Sequence, residues 1–243
     1  MTSHTRAALV VGAGPGLGGA VARRFAREGY VACVARRKGD ELEPLCAEIR
    51  AQGGQALAFG VDARNEDDVV GLFERIEGEI GPVEVAVHNV GANVSFPIRE
   101  MTARVYSKVW QMACFSGFLV GREAARRMAP RGNGTILFTG ATASLRGRSG
   151  MAAFAGAKHA LRALAQSMAR ELGPEGIHVA HVIVDGAIDM PWIPENFPQI
   201  VEERGEEALL NPDAIAESYW QLHTQPRSAW THELDLRPHV EPW

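Results

Sequence analysis

Cysteine is scarce: Cys33, Cys46 and Cys114 are three residues in 243, with no CxxC or Cys/His ligand spacing among them. An odd, scattered set excludes a disulfide framework and an ordinary zinc site, so no metal is expected and a reducing, cytoplasmic setting suits the chain. Long apolar runs are missing as well. No stretch approaches the roughly 20 uninterrupted apolar residues of a membrane helix, and residues 1–6 are polar where a secretory signal would become apolar. Charge of one sign is gathered nowhere: 25 basic and 29 acidic residues leave a net charge of −4, dispersed along the chain. That dispersal argues against a nucleic-acid or membrane surface and leaves a small molecule as the expected partner. Tyrosine is also rare, with only Tyr30, Tyr106 and Tyr219.

Glycine, by contrast, is abundant at 26 residues, and 46 % of the chain is apolar. Short apolar runs alternate with amphipathic stretches through residue 186, predicting strands at 7–12, 30–35, 55–61, 83–88, 135–140 and 177–184. Helices are expected over 16–28, 40–52, 66–79, 102–128 and 151–172, with Asn65 placed to cap the third. Continuously apolar strands are those that helices cover on both faces. The expected fold is therefore α/β, a single doubly wound Rossmann-type domain over 1–243 with a parallel sheet of about seven strands. Later, Pro191, Trp192, Ile193, Pro194, Phe197 and Pro198 mark 187–211 as a substrate or lid segment. Asn211-Pro212 then opens a helix to His223, and 231–236 alternates like a last strand.

Between the first strand and the first helix runs Gly12-Ala13-Gly14-Pro15-Gly16-Leu17-Gly18-Gly19. A helix N-terminus offers unpaired N–H groups and the positive end of a dipole, and small residues let a pyrophosphate approach the backbone. Two glycine spacings overlap here: Gly14-x-Gly16-x-x-Gly19, the general dinucleotide fingerprint, and Gly12-x-x-x-Gly16-x-Gly18. An acid at the end of the second strand would bind a ribose 2′-OH; this chain has Arg36-Arg37-Lys38 there. Guanidinium groups fork onto a phosphate, so NADP is expected in preference to NAD.

The second glycine spacing, with Asp62 after Val61, His88-Asn89-Val90-Gly91 and Lys158 in matching order, resembles the short-chain dehydrogenase/reductase family over 6–190. The resemblance implies that Gly12, Gly14, Pro15, Gly16, Leu17 and Gly18 cradle the cofactor and that Asp62 and Ala63 lie at its adenine. It implies that Asn89 ties adjacent strands while Val90 and Gly91 lie against the cofactor, that Lys158 holds the ribose, and that Gly186 and Ile188 bring backbone to the carboxamide. His88, where the family carries Asn, reads as an interior histidine. A homodimer or homotetramer is implied through helices 102–128 and 151–172, where Ala155, Ala160 and Ala163 suit close packing.

The catalytic half departs from the family. Its Tyr-x-x-x-Lys pair becomes Phe154 and Lys158, its carbonyl-orienting Ser becomes Ala141, and its relay Asn becomes Ala113. No tyrosine stands at the family's spacing before a lysine, so no register slip restores the acid. Proton transfer by a positioned group contributes about 10²–10⁴-fold, and Phe and Ala have none to offer, so the ordinary mechanism cannot run. Thr142, Asp185 and, beyond it, Asp189 are candidate substitutes, as is a desolvated Lys158 with a lowered pKa. Three readings stay open: an NADP-dependent oxidoreductase with a non-standard site, an NADP(H)-binding pseudoenzyme acting as sensor or partner protein, and a non-redox lyase or isomerase on the same fold.

Overall fold

A computed structural model describes residues 5–190, 193, 202–203 and 205–241. Seven strands form one parallel sheet: β1 (Ala7–Val11), β2 (Val31–Arg36), β3 (Gln55–Gly60), β4 (Val83–His88), β5 (Gly134–Thr139), β6 (Ile177–Val184) and a last strand at Glu233–Leu236. Their order across the sheet is β3, β2, β1, β4, β5, β6 and then the last strand. The order reverses between β1 and β4. At such a switch point the loops after the two strands diverge and leave a crevice at the carboxyl edge, where ligands of open α/β sheets bind. Two short strands, β7 (Ala187–Ile188) and β8 (Leu209–Leu210), pair beside the main sheet, which makes the Glu233–Leu236 strand β9.

The apolar patterning explains the layers. Strands β1, β4, β5 and β6 are buried almost throughout, because helices cover both faces. Leu137 faces one core with Phe25, Leu42 and Tyr219; Phe138, one residue on, faces the other with Phe73, Leu119 and Leu161. Each such large side chain contributes roughly 1.5–3 kcal/mol when fully buried. Edge strand β3 alternates instead, burying Ala56 and Phe59 and turning Leu57 outward.

Helices α1 (Leu17–Arg27), α2 (Glu43–Ala51), α3 (Glu66–Glu79) and α6 (Ala152–Leu172) lie near their expected places. Asn65 caps α3 by accepting the Asp67 N–H, and Asn211 caps α7 (Pro212–His223) by accepting from Asp213 and Ala214. The helix expected over 102–128 is divided. α4 (Ala103–Trp110) passes through a π-helical turn, Gln111–Phe115, into α5 (Ser116–Met128). The turn is held inside by Ser116, whose hydroxyl donates to the Met112 carbonyl at 2.5 Å. Of the lid expected at 187–211, the paired ends β7 and β8 are seen; Trp192, Phe197 and the prolines Pro191, Pro194 and Pro198 lie outside the described residues.

Desolvated histidines lower the stability in acid. Burial pushes His88 down to about 3, and His181 and His223 down to about 4. The unfolded chain, titrating near pH 6.5, then binds more protons than the native one between pH 6.5 and 4, so stability falls as pH falls through that window. The expected slope is about 1.4 kcal/mol per pH unit for each histidine. Urea denaturation at pH 7 and pH 5 checks it; equal midpoints would contradict the assignment.

Candidate active site

The crevice opens where β1 and β4 come closest. Gly12 takes φ +89°, and a Cβ there would stand 2.6 Å from the Asn89 carbonyl oxygen, so only glycine fits. The Asn89 side chain donates back to the Gly12 carbonyl at 3.1 Å, tying the strands as expected. A Cβ on Gly18 would meet the Gly12 carbonyl at 2.7 Å, which brings α1 tight against the turn. A Cβ on Gly14, by contrast, would meet nothing within 4 Å, because that face is open. Helix α1 begins after Gly16 with no side-chain cap, leaving its first N–H groups without a side-chain acceptor. An open glycine face beside an uncapped helix N-terminus fits a pyrophosphate.

A cleft of about 940 Å³ runs from this turn across the ends of β5 and β6. Gly12, Gly14, Pro15, Gly16, Leu17 and Gly18 line one end, and Asn89, Val90 and Gly91 its floor. Gly186, Ile188, Ala141, Thr142, Phe154 and Lys158 line the other end. Arg36, Arg37, Asp62 and Ala63 are not on its wall; they stand at and after the carboxyl ends of β2 and β3, on the same edge of the sheet. Arg36 pairs with Glu41 at 2.9 Å, whereas Arg37 is exposed with no ion pair among the described residues. Asp62 is gripped by the Arg64 guanidinium at 2.8 and 2.5 Å, which lowers its pKa.

Ala141 and Phe154 occupy the wall where the family resemblance would place hydroxyls, and Ala113 sits fully buried within the π-helical turn. None of the three tyrosines lines the cleft. Tyr219 is buried with its hydroxyl 2.8 Å from the Thr139 hydroxyl, and burial raises its pKa. Lys158 is buried too; its Nζ donates to the Thr139 carbonyl at 2.7 Å and lies 5.9 Å from the Phe154 ring centre. Desolvation pushes it down to about 8. One of its three donors is used within the chain, leaving two for a ligand.

Asp185 is fully buried and held from three sides. Thr142 donates to it at 2.5 Å, Arg237 reaches it at 2.8 Å, and Arg146 at 3.4 Å. Its carboxylate thus fixes the Thr142 hydroxyl and binds the loop after β5 to the segment after β9. Asp189 is exposed and away from the cleft wall. His88 is interior as expected, with Nε2 2.7 Å from the Ser116 hydroxyl and Nδ1 without a partner among the described residues. His159 bonds the Ala155 carbonyl at 2.8 Å.

A second buried chain runs behind Ala141. The Ser144 hydroxyl accepts the Ala141 N–H at 3.1 Å and lies 3.3 Å from His181 Nε2; His181 Nδ1 lies 3.2 Å from Glu233. Arg162 forks onto that glutamate at 2.6 Å. A Ser–His–Glu order suggests a nucleophile, but Ser144 is fully buried and absent from the cleft wall, so its hydroxyl positions Ala141. A Cβ on Gly140 would meet His181 at 2.4 Å, so the glycine leaves room for the ring. Arg146 and Arg148 also line the cleft, and neither was expected. The only signal in the sequence was the Arg146-Gly147-Arg148 triplet on the loop ahead of α6.

The short chain dehydrogenase family model matches residues 6–193. The chain belongs to that family. Among curated relatives, the 1-deoxy-11-beta-hydroxypentalenate dehydrogenase of Streptomyces exfoliatus is 31 % identical over 196 residues, covering 79 % of this chain and 71 % of the relative. Zerumbone synthase of Zingiber zerumbet is 31 % identical over 252 residues, covering 97 % and 94 %. A short-chain dehydrogenase structure from Rhodopseudomonas palustris superposes with TM-score 0.83 at 50 % identity, covering 96 % of this chain and 99 % of that one. A metagenomic short-chain oxidoreductase in complex with NADP shares the fold at TM-score 0.80 and 23 % identity, covering 98 % and 99 %. No described helix is long and apolar enough to cross a membrane, and no described cluster of His, Cys, Asp or Glu could hold a metal.

Replacing Asp185 by Ala removes the buried carboxylate that Arg146 and Arg237 share, while Arg237 keeps Asp235. The expected cost is about 3 kcal/mol, at the low end because Arg146 is partly exposed. Chemical denaturation of the variant checks this, and a change under 1 kcal/mol would mean that the clamp does not hold the loop.

Proposed function

We propose that this protein is an NADP(H)-dependent oxidoreductase acting on a carbonyl or alcohol, with Lys158 as its acid/base. The observation that carries this is Lys158 itself, a buried ammonium on the cleft wall whose pKa is pushed down to about 8. When bound, the cofactor supplies or accepts the hydride. The chain's residues do the rest: the uncapped α1 N-terminus and Gly14 hold the pyrophosphate, and Val90, Gly186 and Ile188 bring backbone to the nicotinamide end. Arg37, exposed and with no ion pair among the described residues, takes a 2′-phosphate and favours NADP over NAD. The NADP held by the metagenomic relative supports the same assignment. Thr142 donates to Asp185, so its lone pairs face the ligand as an acceptor and orient an alcohol group. Phe154 excludes water from that side.

A non-catalytic nucleotide sensor is the second reading, favoured by Ala113, Ala141 and Phe154 at the three family catalytic positions. Nicotinamide fluorescence titration and a carbonyl panel separate the two. NADPH is expected to bind more tightly than NADH, and reduction is expected to fall as pH rises through about 8, because the ammonium is the proton donor. Lys158→Met should remove that pH dependence and lower kcat by about 10²-fold or more. Absence of turnover on every carbonyl with tight NADPH binding would favour the sensor; failure of both nucleotides to bind would defeat both readings.

We also propose a homodimer or homotetramer through α4, α5 and α6. Trp110, Phe115 and Phe118 stack at 5.8 and 6.0 Å on this face, with Trp110 and Phe118 exposed. Such a contiguous aromatic patch suits a second copy. Sedimentation at micromolar concentration should show a dimer or larger, and Trp110→Glu should shift it toward the monomer.

A further inference from the structure

Cations outnumber acids on the cleft wall beyond Thr142. Arg146 and Arg148 both line that wall, on the loop between Ser144 and α6. The loop is anchored: the Phe96 N–H donates to the Gly150 carbonyl at 2.9 Å, and the Met151 N–H to the Arg148 carbonyl at 3.0 Å. The guanidiniums therefore extend from a fixed base. Arg148 makes no ion pair among the described residues. Arg146 reaches Asp185 only at 3.4 Å, and that carboxylate already has Arg237 at 2.8 Å and Thr142 at 2.5 Å. Its charge is thus largely met without Arg146. Glu241 is the one acid among the described wall residues, and it has an interaction of its own. The stretch of wall that follows the arginines in the chain is apolar, with Met151 and Phe154.

An apolar cavity with two forked cations at one side is complementary to an amphipathic anion. We propose that the substrate is a small oxo or hydroxy acid whose carboxylate is bound by Arg148 and Arg146, with its apolar body against Met151 and Phe154. Arg146 leaves its long contact with Asp185 to complete the fork, while Asp185 keeps Arg237 and Thr142. The arginines select and position the ligand and do not touch the reacting atoms. The proposal rests on this cleft being the substrate cleft of the oxidoreductase described above.

Calorimetric titration of the full chain, with and without saturating NADPH, tests it using oxo acids of five to ten carbons beside their methyl esters. The acids are expected to bind at least about tenfold more tightly than the esters, since a charge-assisted fork is lost on esterification. Arg148→Gln should reduce that preference about fivefold or more while leaving ester binding and NADPH affinity unchanged, and Arg146→Gln should reduce it as well. Arg148→Lys should recover part of it, and unchanged NADPH affinity shows that each variant is folded. A phosphate-ester analogue in the same series shows whether carboxylate or a general oxyanion is read; tighter binding of the phosphate overturns the carboxylate assignment. Acids and esters bound alike, no binding of either, or a preference untouched in both glutamine variants overturns the proposal. Loss of NADPH binding with the acid preference intact overturns the cofactor reading alone.

Discussion

The approach of two backbones at the switch point is the constraint on which the site depends. The turn after β1 comes within contact of the chain after β4, so close that a single methyl group at residue 12 would collide with a carbonyl. Because that space is missing, α1 starts with its N–H groups facing the crevice, and Asn89 spends its amide on the turn. The cleft's nucleotide end follows from this one contact, and its far end from the strands stacked beyond it. A protein that keeps such a demanding arrangement has retained what a bound dinucleotide requires.

Much of this was legible in the sequence because it is local. Asn65 and Asn211 announce their helices by side chains that bond two or three residues onward. The glycine turn is legible for the same reason, since its sterics lie within a few residues. The π-helical turn was not legible: nothing in Gln111–Phe115 breaks a helix, and the widened turn shows only once Ser116 is seen to bond Met112. The environment of Asp185 was equally hidden. Thr142, Arg146 and Arg237 come from distant parts of the chain, so a carboxylate that reads as a free acid in the sequence proves to be a neutralised clamp. Local rules locate a cradle; they do not tell which long-range partners a charge will find.

The two halves of the cleft are thus built on different physics. One end is backbone geometry and tolerates little change. The other is side-chain chemistry, where Phe154 and Ala141 line the wall together with Lys158, Thr142 and two guanidiniums. Behind it, the Ser144–His181–Glu233–Arg162 chain keeps the loop after β5 in place without reaching the cavity. The loop that carries Ala141 is therefore held by a specific buried network.

Asp185 acts through its backbone as well as its carboxylate, as a proline at this position could not. Proline has no N–H, whereas the backbone of Asp185 donates to the Leu236 carbonyl at 2.8 Å, prolonging the ladder between β6 and β9 by one rung. The last strand is stitched to the cavity by main chain and by side chain at the same residue. Residue 185 thus couples two regions that could otherwise vary separately. A substitution near Leu236 or Arg237 would be felt at the hydroxyl of Thr142, so the wall and the last strand are constrained to change together.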